Sequence, residues 1–101
     1  MEAWEAVLEL RFFIDPETEL PHITEHGVTE TKVREVLFGR GEDARGDEDS
    51  RMKIGQTQTG RYLQVVYVPD PGRESAFVVT AYDLKTKAKK AFRRRQRRKG
   101  R

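Results

Sequence analysis

Residues 51–82 read RMKIGQTQTGRYLQVVYVPDPGRESAFVVTAY, and this stretch decides the fold. Its centre, residues 61–68, is apolar in both alternating sets: Leu63, Val65 and Tyr67 in one, Tyr62, Val66 and Val68 in the other. Strands buried on both faces read this way, so residues 61–68 predict a central strand. Upstream, residues 51–56 form a strand that offers only Met52 and Ile54 to a buried face. A turn containing residues 57–60 joins the two. Pro69-Asp70-Pro71-Gly72 is a strong turn signal, and residues 74–82 form a third run rich in β-branched and aromatic side chains. Short turns between successive strands predict an antiparallel meander.

Outward towards the N-terminus, residues 39–50 (GRGEDARGDEDS) hold three glycines, five acids and no large apolar side chain, so a solvated, mobile acidic loop is expected. Before it, Thr29 is placed to cap a helix running to Phe38, with Val33, Val36 and Leu37 on one face and Gly39 as its stop. Asp15-Pro16 is a helix-start signal, but Pro21 interrupts, so a first helix is short or restarts at Pro21. Gly27 suits its left-handed end. Residues 5–14 alternate, with Ala6, Leu8, Leu10, Phe12 and Ile14 on one face, and predict a half-buried strand. A helix over residues 2–9 is the rival reading, and Trp4 is read as packing.

Outward towards the C-terminus, Asp83 is placed to cap a last helix. Leu84, Ala88, Ala91 and Phe92 then form one narrow apolar stripe, and residues 93–101 are expected to fray as a basic tail. The whole, residues 1–101, reads as a single α+β domain. A small antiparallel sheet (the N-terminal strand plus the meander) is packed by one or two short N-terminal helices and by the C-terminal helix.

Charge is distributed unevenly. Residues 85–101 carry eleven Lys/Arg and no acid, whereas residues 1–84 carry nine Lys/Arg against seventeen Asp/Glu, so a body of −8 bears a tail of +11. A block of one sign this dense repels itself unless an anion lies against it. Nucleic acid is the commonest such partner, because each neutralised phosphate releases counterions. An acidic protein, or the chain's own acidic body, competes for that role. The chain has no cysteine, which excludes disulfides and thiolate metal sites and suits the cytoplasm. No apolar run is long enough to span a bilayer, and the acidic start is unlike a signal peptide, so a soluble protein without membrane attachment is expected.

In order and spacing the motifs resemble the BrnT toxin family of RelE-like ribonuclease toxins. Asp15-Pro16, then His26-Gly27-Val28, then Val36-Leu37-Phe38 follow its N-terminal half. Residues 47–51 (DEDSR), Ile54-Gly55, Gly60-Arg61, Leu63 and Val65-Val66-Tyr67 follow its acidic loop and central strands. Residues 77–81 and 89–98 fall on its next strand and its basic last helix. Several departures stand out. Ile14 replaces a Trp, His22 an Asn and Tyr82 an Arg, and an acid and a Tyr common on the last helix are arginines here. The resemblance implies a toxin that cleaves RNA without metal or cofactor and is neutralised by a cognate antitoxin.

Such cleavage uses the RNA's own 2′-hydroxyl as nucleophile, and the protein supplies an acid, a base and positive charge for the phosphorane. Arg51 and Lys53 share a strand face, and Arg61 opens the neighbouring strand, so the three are candidates for a phosphate patch. The competing reading pairs them with acids of residues 42–49, and Lys53 is assigned there first. The resemblance favours catalytic roles for Arg51 and Arg61. His22 and Tyr82 are the candidates to move the proton. Lys89, Lys90, Arg93, Arg94 and Arg97, with Lys53 as a further contact, would hold the RNA backbone. His22 and His26, four apart, show no third metal ligand nearby in the sequence. Tyr67 reads as a half-buried sheet aromatic.

Overall fold

The computed structural model describes residues 9–72 and 75–99. The roles expected of Trp4, Ala6, Leu8 and Glu74 lie outside the described residues. Five strands, β1 (Glu9–Phe12), β2 (Gly41–Arg45), β3 (Arg51–Gln56), β4 (Tyr62–Pro69) and β5 (Ser75–Asp83), form one sheet in the order β1-β5-β4-β3-β2. The fold is α+β, and its meander β3-β4-β5 is antiparallel as expected. Strand β1 joins β5 in parallel, so the sheet is mixed. A 3₁₀ helix (His22–His26), helix α1 (Glu30–Phe38) and helix α2 (Thr86–Lys99) complete the chain. No helix among the described residues is long and apolar enough to cross a membrane.

The core lies on one sheet face. Leu63 and Val65 of β4 and Val78 and Ala81 of β5 pack under Val33 and Val36 of α1, with Ile23 and Val28 closing the side. Thr29 caps α1: its side chain accepts the Lys32 N–H at 3.3 Å. Replacing Thr29 by Ala should cost about 1 kcal/mol and lower the melting temperature by several degrees, since one orphaned helix donor loses its acceptor. An unchanged melting curve would show that the cap contributes nothing.

The segment expected to be a mobile loop instead supplies β2, paired antiparallel with β3 from Gly41↔Gly55 to Arg45↔Arg51. An edge strand needs only one ladder of backbone bonds, so Asp43 and Arg45 can stay in water while the backbone pairs. Glycine is required at position 41, because a Cβ there would run into the Ile54 carbonyl.

No helix starts at Asp15-Pro16. The chain reverses there instead: Asp15 N–H donates to the Leu20 carbonyl, His22 N–H donates to Phe13, and Ile14 bridges Pro21. Pro21 disfavours helical geometry at Leu20, so helix formation waits until His22. Gly27 ends that short helix at φ 67°, left-handed as expected. Strand β1 stops at Phe12, and Ile14 is exposed rather than on the buried face.

Asp83 is the last residue of β5, not a helix cap, and α2 begins at Thr86. Helix α2 lies against the sheet face opposite α1. Its anchor is Phe92, buried edge-on against the Tyr62 ring at 6.0 Å between centroids, with the Lys89 ammonium 5.6 Å from the same ring. Of the expected stripe, Leu84 and Phe92 are buried and Ala91 is half-buried, but Ala88 is exposed; Lys89 and Gln96, also half-buried, complete the inward side. The helix continues to Lys99 instead of fraying from position 93, because Arg95 forms a two-pronged pair with Glu42 of β2 at 2.7 and 2.8 Å.

Candidate nucleic-acid interface

Helix α2 carries cations around most of its circumference and no acid in its first turn. Lys90, Arg93, Arg94, Arg97 and Arg98 are all exposed. Among the described residues the ion pair on this helix is Arg95–Glu42, and the guanidinium of Arg95 holds the Glu42 carboxyl below its usual range. Tethering at Arg95, with Phe92 underneath, presents the remaining arginines outward. Beside the helix runs a groove of about 350 Å³ lined by Gln56, Tyr62, Arg93, Gln96 and Arg97. A second of similar size, between Arg40, Gly41, Lys53 and Lys99, opens at the β2 end. The candidates Lys89, Lys90, Arg93, Arg94 and Arg97 are thus on one element. Lys89 is the least available of them, half-buried against Tyr62.

The proposed patch of Arg51, Lys53 and Arg61 is not assembled. Arg51 sits opposite Tyr67, whereas Arg61 precedes Tyr62, so six residues of strand, about 20 Å, separate the two arginines. Each is committed elsewhere. Arg51 Nε donates to Asp43 at 2.9 Å, and the Tyr67 hydroxyl donates to the other oxygen of Asp43 at 2.6 Å. Burial, then this bond, pushes the Tyr67 hydroxyl up to about 12. Lys53 shares the face of Arg51, yet its ammonium donates to the Leu37 and Gly39 carbonyls at 3.1 and 3.0 Å, which closes the end of α1. Burial pushes its amine down. The competing reading, pairing with loop acids, therefore describes Arg51; Lys53 caps a helix instead.

Arg61 ties three segments together. Its guanidinium donates to the Gly27 carbonyl at 2.7 Å, to the His26 carbonyl at 2.6 Å, and to both oxygens of Asp83 at 2.7 and 3.0 Å. The planar five-donor fork makes this possible. It also holds the Asp83 carboxyl below its usual range. Nothing in the sequence spacing marks this role, because the carbonyls it satisfies lie more than thirty positions away.

His22 and Tyr82 do approach one another, through a residue assigned no role. The His26 ring stacks edge-on between them, 5.4 Å from His22 and 5.9 Å from Tyr82. This is possible because β1 pairs only with the first half of β5, which leaves the Tyr82 end open to the 3₁₀ helix. The Tyr82 hydroxyl accepts from the Gln64 amide at 3.1 Å. His22 also has company the sequence reading missed. Its Nδ1 lies 3.1 Å from Glu25 and 3.6 Å from Asp15. The Glu17 N–H, then a hydrogen bond from Glu25, hold the Asp15 carboxyl low, and the same shared bond pushes Glu25 up. The reversal at residues 15–21 brings these groups together, and its signal was Pro21, read only as a helix breaker. No family model matches the chain, and no curated protein and no solved structure is similar to it.

Proposed function

We propose that this protein binds RNA in the cytoplasm, along helix α2 and its flanking grooves. The observation that carries the reading is the run of exposed arginines on a helix pinned to the sheet, Arg93, Arg94, Arg97 and Arg98, with no ion pair to any described acid. Charges left uncompensated on an ordered helix suit a polyanion, and Tyr62 at the groove offers a ring edge for a base. The test is a labelled single-stranded RNA mixed with pure protein across a range of salt. Binding that weakens steeply with salt supports the reading; absence of any complex at low salt refutes it.

A second reading adds cleavage: an endoribonuclease toxin held in check by a cognate antitoxin, as the family resemblance implies. The approach of His22, His26 and Tyr82 favours it, since two imidazoles and a phenol can exchange protons with a 2′-hydroxyl and a leaving oxygen. Arg51 and Arg61 support it poorly, each being engaged with an acid. In the same incubation, cleaved RNA that becomes intact in a His26→Ala variant would favour the toxin. RNA bound but uncut would leave the binding module.

A further inference from the structure

We propose that Asp15, His22 and Glu25 form a binding site for one transition-metal dication of the zinc class. Their ligand atoms all lie within 4.8 Å of one another. The His22 Nδ1 is shielded from solvent and makes no hydrogen bond. Yet carboxylate oxygens stand 3.1 Å away on Glu25 and 3.6 Å away on Asp15. A shielded ring nitrogen beside two carboxylates, all within reach of one another, can meet them on a single cation, which would take the place of the hydrogen bond that Asp15 and Glu25 share. Ligands about 2.1 Å from a tetrahedral zinc ion stand about 3.4 Å from each other, and the two separations from Nδ1 bracket that edge. Imidazole with two carboxylates is a donor set such ions accept.

The backbone holds the donors in place. Asp15 spends one carboxylate oxygen on the Glu17 N–H at 2.8 Å, which leaves the other for the cluster. The Ile14–Pro21 bridge and the His22 N–H bond to Phe13 fix Asp15 across from His22. Glu25 follows His22 by three residues on one face of the 3₁₀ helix. Three protein ligands would leave a fourth position for water or an anion. The inference stands apart from RNA binding, because it uses no residue of α2. An ion on Nδ1 would make His22 a ligand, and proton transfer in the second reading would then fall to His26 and Tyr82.

The experiment is calorimetric titration of Zn²⁺ into the untagged full chain after removal of metal with EDTA. One ion per chain is expected. Asp15→Asn, His22→Gln and Glu25→Gln should each weaken binding at least about tenfold, as loss of a ligand does when even its outer partners are worth that much. Asp49→Asn, at an exposed position in the β2–β3 turn, should leave it unchanged. Should His22→Gln fail to fold, Glu25→Gln decides alone, since its side chain is 40% exposed. No zinc uptake by the stripped protein, or uptake that Glu25→Gln leaves at full affinity, would overturn the site.

Discussion

Arg61→Ala should melt about 10 °C or more below the parent protein. The guanidinium satisfies two backbone carbonyls at the end of the 3₁₀ helix and is only 24% exposed. Hydrogen bonds from a charged donor contribute about 1.5–3 kcal/mol each, so losing this pair should cost about 3 kcal/mol or more in all. At this chain length each kcal/mol moves the melting point by about 4–8 °C. The Asp83 half of the arrangement adds little. Its carboxylate is 60% exposed, and surface pairs contribute at most about 1 kcal/mol. Asp83→Asn should therefore cost much less than Arg61→Ala.

Arg61→Lys should recover little, because one ammonium cannot span two carbonyls and a carboxylate. The pH dependence has a definite sign. Asp83 has a lowered folded-state pKa, so its share of stability is present above the unfolded value of 3.8 and fades as pH falls through the folded one. The gap between Arg61→Ala and the parent should narrow in acid by that small share alone. A variant melting within about 2 °C of the parent would refute the structural role and return Arg61 to the list of catalytic candidates. Loss of RNA cleavage in this variant would prove nothing without that melting curve.

The second large effect concerns RNA. Changing Arg93, Arg94, Arg97 and Arg98 together to Gln should weaken RNA binding about a hundredfold or more at physiological salt. Each phosphate contact on a single strand contributes about 0.7 to the slope of log affinity against log salt, so the slope should flatten by nearly three. The fold should survive, because all four side chains are exposed and the helix keeps Phe92 and the Arg95–Glu42 pair. Relief of repulsion along the helix should even steady it slightly. Equal affinity with an unchanged slope would place the RNA elsewhere, or remove it.

What could be read in advance were the local rules. The two-faced run in β4 announced a central strand, and Thr29 with Val33 and Val36 announced a capped helix facing the core. Strand β2 was hidden because an edge strand buries so little that its composition looks like a loop's. The parallel seating of β1 was hidden because alternation tells which side chains point inward but not which neighbour a strand chooses.

The amino-acid sequence alone determined the α+β class, the meander and the cationic end of the chain, since these follow from side-chain periodicity and charge along contiguous residues. Only the tertiary structure decided what the isolated charges do. Arg51 met Asp43, Lys53 closed a helix, Arg61 joined two carbonyls to Asp83, and His22 came to rest between two acids. The reason is physical. A charged side chain's role is set by whichever partners remain unsatisfied within a few ångströms of it, and folding chooses those partners from distant parts of the chain.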